Sequence, residues 1–116
     1  MKRVAISIEN NKLSQYFGQC NHYLVFTIEN GIVVSQETKL PPKTQILEMP
    51  QWAFDEKISD IITHKIDRTI MNLFHQLHIN LFVGVEIKSA QELISDYLNG
   101  KTESNKTIIN EILNTK

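Results

Sequence analysis

Between residues 58 and 98 the chain switches its hydrophobic period three times, and this restricts the fold more than any other feature. "ISDIITH" (58–64) is a short isoleucine-rich run of the kind a buried strand carries. Next, Ile66, Ile70, Leu73, Phe74 and Leu77 recur at helical spacing around "DRTIMNLFHQLH", with Asp67 placed to cap the helix. "INLFVGVE" (79–86) returns to a strand. "SAQELISDYLNGK" is helical again, with Ala90, Leu93, Ile94, Tyr97 and Leu98 as its apolar stripe. Ser89 and Glu92 form a capping box at its start, and Gly100 stands at the C′ position. Strand, helix, strand, helix predicts parallel strands joined by helices that cover a sheet.

The first half reads differently. "RVAISIE" (3–9) is a strand that runs into the turn formers of "ENNKLS". "HYLVFTIENGIVVSQET" is a hairpin, because Asn30-Gly31 supplies the positive φ angles of a two-residue turn. Leu40-Pro41-Pro42 ends the pairing, since proline has no N–H to donate. In residues 43–57 "MPQWAFDEK" reads as a short helix with Pro50 in its first turn. Trp52 and Ala53 should face inward, with Leu47 a further inward candidate. The order β-β-β-α-β-α-β-α predicts an α/β fold, a mixed sheet with helices on both faces. "TESNKTIINEILNTK" puts Ile108, Ile109, Ile112 and Leu113 on one helical face, a last short helix or a surface for a second copy.

A chain of 116 residues is one ordinary domain. Such a chain buries roughly two-thirds of the surface that its unfolded form exposes. A net charge of −1 offers no basic field for phosphate backbones, so a nucleic-acid partner is not expected. One cysteine makes no internal disulfide, and "MKRVAISIEN" turns polar too soon for a signal peptide. No run approaches the ~20 apolar residues that cross a bilayer. A reducing, cytoplasmic setting without a membrane partner is the expectation. No serine–histidine–carboxylate order, pair of carboxylates at a pocket or P-loop stands out, so an enzyme is not expected.

Ligands of open α/β sheets gather beyond the carboxyl ends of the parallel strands. Two segments qualify, 9–20 after the first strand and 63–68 after the fourth. "MKRVAISIENNKLSQYFGQCNHYLVFTIENGIVVSQE" resembles the start of the dinitrogenase iron-molybdenum cofactor family, the NifX/NafY-like proteins and the C-terminal domain of NifB. There a "kIAIPve" strand leads to "HFGxx" and a "yFliydvedGei" hairpin. "SDIITHKIDRTIMNLFHQLHINLFVGV" lies where the family has "vDvVIaggIGpnAfeaLkeaGIkVyxg", and "SAQELISDYLNGKT" is similar to "tveeAieayleGkL". The resemblance covers residues 1–102 as a cofactor-binding domain, leaving 103–116 as a C-terminal tail. It implies a three-layer ribonuclease-H-like fold with a five-stranded mixed sheet. It also implies an iron-sulfur or iron-molybdenum cluster as cargo, passed between donor and acceptor proteins. The chain departs from the pattern in three places. Tyr16 stands where the family has the histidine of "HFG", a favoured cluster ligand. The glycines of "aGGIGp" are replaced in residues 63–68, of which only Ile66 is kept, and "hhGxGxGpq" before the first helix is replaced by "TQILEMPQ". Glycines there would let backbone N–H groups approach an anion.

The candidate site residues are Tyr16, Gly18, Cys20, His22, His64, Lys65 and Arg68. A Cys20 thiolate would be a good iron ligand; otherwise it is a small buried hydrophobe. His22, two residues on, would share a strand face with Cys20, ~6.5 Å away along the backbone, or simply face solvent. His64 precedes a helix N-terminus and with Lys65 and Arg68 would hold an anion; otherwise this is a solvated loop. Cys20, His22 and His64 are the candidate metal ligands. His75 and His78 read as a surface pair on a helix. Gly18 permits a sharp turn, Phe17 plugs the core, and Tyr16 has a hydroxyl to offer. The function read from these residues is a cluster-binding or carrier-like protein. The alternative is a regulatory or interaction module that kept the fold and lost the cluster.

Overall fold

The computed structural model describes residues 1–41 and 45–114. Two strands, β1 (Lys2–Glu9) and β2 (Lys12–Leu13), meet through a tight turn at Asn10 and Asn11, both with positive φ. β3 (His22–Glu29) and β4 (Ile32–Lys39) form the expected hairpin around Asn30-Gly31. A single 3-10 turn (Ile46–Glu48) leads into α1 (Met49–Asp55), and β5 (Asp60–Ile62), α2 (Arg68–Gln76), β6 (Asn80–Phe82), α3 (Ala90–Leu98) and α4 (Lys106–Leu113) complete the chain. Pro42, expected to help end β4, lies outside the described residues.

The sheet runs β4-β3-β1-β5-β6, and β2 pairs with β1 off that path. It is mixed, with β5 parallel to β1 and β6 while β3 is antiparallel to β1 and β4. Among the described residues six strands stand where the family resemblance implied five, because two residues after the Asn10-Asn11 turn pair back onto Ile8 and Glu9. So short a strand leaves no periodicity to read.

Alternation along the strands divides the apolar residues between two clusters. Ala5, Tyr23, Val25, Ile61 and Leu81 face α1 and α2 through Ala53, Ile70 and Phe74. Val4, Ile6, Phe26, Ile28 and Ile62 face α3 through Leu93 and Ile94. Helices thus lie against both faces. β5 and β6 keep only three ladder residues each, fewer than "ISDIITH" and "INLFVGVE" suggest. Beyond them the pairing turns irregular, with Thr63 N–H donating to Phe82 O and Gly84 N–H to His64 O at 2.7 Å.

Asp67 caps α2 as expected, its carboxylate accepting from Thr69 N–H at 2.9 Å and Ile70 N–H at 3.4 Å. Only half of the expected capping box forms on α3. Glu92 N–H donates to Ser89 Oγ, but the Glu92 carboxylate accepts from that same hydroxyl. The backbone of Ser89 is instead engaged in a bridge with Lys12. α3 closes with Lys101 N–H on Asp96 O and Gly100 N–H on Tyr97 O, the paired bonds of a Schellman ending. In α1 the buried residues are Met49, Pro50 and Ala53, with Trp52 half-buried. Leu47 is 54% exposed, because the 3-10 turn before the helix points it outward. His78 sits past the end of α2 at a φ of 59°, so it does not share the helix with His75.

The tail is part of the fold. Ile108, Ile109 and Ile112 pack on the cluster that holds Phe74 and Val83, so the face expected to receive a second copy is largely used within the chain. Leu113 alone of the four stays exposed. Among the described residues no helix is long and apolar enough to cross a membrane.

Candidate functional site

The segments after β1 and β5 meet. Tyr16 and Lys65 form a parallel bridge, with Phe17 N–H on Lys65 O at 2.8 Å and Lys65 N–H on Gln15 O at 3.0 Å. Two buried hydroxyls shape this junction from within. Ser14 Oγ donates to Tyr16 O at 3.1 Å and accepts from the Ser7 hydroxyl, with the two oxygens 2.7 Å apart. Thr63 Oγ1 donates to Lys65 O at 3.3 Å. Phe17 plugs the core beside Tyr23 and edge-on to Phe74, with ring centroids 5.8 and 5.4 Å away. Gly18 follows at a φ of +93°, and a Cβ there would lie 2.4 Å from Ile46 Cδ1. The positive φ is what calls for glycine here, since the Ile46 methyl is the end of an exposed side chain that can move aside.

Beside this junction lies a cleft of about 900 Å³. One wall is Tyr16 to Gln19, another is Lys65 to Thr69, and α4 supplies Ile108, Glu111 and Ile112. Lys65 Nζ sits 5.7 Å from the centroid of the Tyr16 ring, a cation held over an aromatic face. Arg68 is exposed and donates from Nη1 to Leu113 O at 3.3 Å. Of the residues singled out from sequence, Tyr16, Gly18, Lys65 and Arg68 line the cleft. Cys20, His22 and His64 are not among its lining residues.

These three are separated for local reasons. Cys20 lies in a bend before β3 and packs on the cluster of Tyr23 and Val25. His22 is inside β3, opposite Ile8, and strand alternation gives it the other face, that of Leu24 and Phe26. The face shared by Cys20 and His22 therefore does not form, because the strand begins after the cysteine. His64 turns toward the segment after β6. Its Nδ1–H donates to Val85 O at 2.9 Å, which leaves Nε2 as the acceptor of the neutral ring. Among the described residues no group of three or more His, Cys, Asp or Glu is placed to hold a metal ion. The three-ligand set Cys20, His22 and His64 is not assembled.

Burial pushes the Cys20 thiol above its ordinary value, although the hydroxyl of Tyr23 donates to its sulfur and partly offsets the shift; the Glu9 carboxylate adds to it. The thiol form, a poor ligand, is favoured. The N-terminus of α2 is also occupied, since Asp67 has taken the N–H groups of Thr69 and Ile70 that would otherwise attract an anion. The donor set thus fits poorly with direct ligation of a cluster by protein side chains. What the cleft offers is two cations, Lys65 and Arg68, and two carboxylates, Asp67, which caps α2, and Glu111 of α4, beside apolar side chains.

Sequence reasoning missed the wall from α4 and the contribution of Ile46. The isoleucines of the tail were visible, but nothing local says which surface they cover. Ser14 and Thr63 read as ordinary loop residues, and only their burial reveals the hydroxyl bonds that shape the rim.

A mixed α/β domain with its cleft beyond the carboxyl ends of β1 and β5 is the class that these observations define. The chain belongs to the dinitrogenase iron-molybdenum cofactor family, whose sequence pattern matches residues 1–100. It is 26% identical over 108 residues to protein MJ0580 of Methanocaldococcus jannaschii, covering 89% of this chain and 91% of that one. The solved structure of PH0822 is similar, with a TM-score of 0.80 at 24% identity over 89% of this chain and 94% of that one. MJ0327 of Methanocaldococcus jannaschii superposes with a TM-score of 0.73 at 20% identity, over 89% and 93% of the two chains. At these identities the structural likeness speaks for the fold.

Proposed function

We propose that this protein is a carrier, not a catalyst, for an anionic metal–sulfur cargo of the iron-molybdenum cofactor kind. The cargo sits in the cleft between residues 16–19, residues 65–69 and α4, held by charge and shape and not by bonds from the chain to the metal. One observation carries this reading. Tyr16, at the position of the family histidine, and Lys65 and Arg68, in the segment that replaces the family glycines, line a single cleft. Membership of the family supplies the class of cargo. Weak, charge-based holding suits a protein that takes its cargo from a donor and yields it to an acceptor. The two apolar clusters on opposite sheet faces support the three-layer, ribonuclease-H-like description of the scaffold.

The test is anaerobic incubation with ferrous iron and sulfide or with tetrathiomolybdate, then gel filtration and metal analysis. Metal should elute with the protein. Replacing Lys65 and Arg68 together by alanine should lower the bound metal by about tenfold, since two charged contacts are lost. Cys20→Ala should leave it unchanged. Equal metal content in the double variant would refute the charge-held site. Metal lost in the cysteine variant alone would return the thiol to the account.

A further inference from the structure

We propose that α4 is a lid on the cleft, hinged at Ser104 and Asn105 and latched at its far end by Arg68, and that an anion engaging Arg68 releases it. The release rests on the carrier reading above; the latch does not.

α4 lies beyond the region matched by the family, which ends at residue 100. Its near end is tied firmly to the end of β6. Asn105 N–H donates to Val83 O at 2.7 Å, and Val83 N–H donates to Ser104 Oγ at 3.0 Å. Gly84 is buried under the same point, where a Cβ would lie 2.6 Å from Asn105 Cβ and 3.0 Å from Ile108 Cβ. Only a bare backbone admits the helix this closely. The Asn105 side chain then caps α4 by accepting from Thr107 and Ile108 N–H.

The body of the helix is held less tightly. None of its residues is fully buried; Ile108, Ile109 and Ile112 are half-buried on the core. Eight residues do not hold a helix in water without docking. At the far end Arg68 Nη1 donates to Leu113 O at 3.3 Å, and both residues are exposed. Arg68 thus serves two acceptors, the terminal carbonyl of the lid and whatever anion occupies the cleft. A charged acceptor binds guanidinium more strongly than a neutral carbonyl does. Occupancy of the cleft by an anion therefore weakens the latch while the hinge holds.

Hydrogen exchange of the full-length protein, followed by mass spectrometry, tests both parts. In Arg68→Met the amides of 106–113 should exchange roughly two- to tenfold faster, the range expected for one lost hydrogen bond, with α2 and α3 unchanged. Unaltered exchange of α4 in that variant overturns the latch. In the native protein, tetrathiomolybdate should speed α4 exchange, and in Arg68→Met it should add nothing. Bound anion with slower or equal α4 exchange overturns release. If the anion does not bind, the carrier reading fails and release falls with it, while the latch is still decided by the variant without anion.

Discussion

Tyr97 reaches from α3 to the buried carboxylate of Asp60, donating its hydroxyl to Oδ2, while Oδ1 has no hydrogen-bond partner among the described residues. Asp60 opens β5, at the strand end away from the cleft, so this pair belongs to the scaffold. Tyr97→Phe would strip a 2%-exposed carboxylate of its donor and should cost about 2 kcal/mol, read by chemical denaturation. Burial also raises the pKa values of Tyr97 and Tyr23, as it does that of the Cys20 thiol. The folded state therefore keeps these groups protonated where the unfolded chain ionises them. Their contribution is complete below the ordinary values, 9.0 for a thiol and 10.0 for a phenol, and is lost as pH climbs beyond them. Thermal midpoints should stay level near neutrality and fall above pH ~9. Tyr97→Phe should lessen the alkaline fall; an equally steep fall in that variant would discount the phenol. Little of this was legible in the sequence, since burial is set by distant residues.

Among the elements, those with their own periodicity and caps were readable. α2 announces itself by Ile70 and Phe74 and by Asp67, and Asp67→Ala should cost about 1 kcal/mol, or roughly 4 °C in the thermal midpoint. The hairpin of β3 and β4 announces itself by Asn30-Gly31. β2 does not, being too short for any pattern. α4 had a readable apolar face but no readable destination. Gly84 decides that destination, and Gly84→Ala should displace the helix. With its φ of +79° and the close Asn105 Cβ, the loss should reach at least about 1 kcal/mol. An unchanged stability and unchanged α4 exchange would show that the close approach does not matter.

At the scale of the molecule, a cargo held by Lys65 and Arg68 should be released by salt. Bound metal measured by equilibrium dialysis should fall steeply between low and physiological ionic strength, as the screening length shrinks to about 8 Å. Salt-independent binding would point to direct ligation instead. The sequence by itself determined the alternation of strands and helices, the caps, the positive-φ turn and the family, because each is written in residues near one another along the chain. It also marked residues 16–18 and 65–68 as neighbours of the ligand-binding ends of strands. Only the tertiary structure decided that Cys20, His22 and His64 point apart, that the tail closes onto its own core, and that Lys65 and Arg68 meet in one cleft without those three. Those outcomes depend on which face of a strand a side chain takes and on which distant surface offers an apolar match. Because β3 begins at His22, two residues past the cysteine, the thiol and the imidazole go to opposite sides of the sheet.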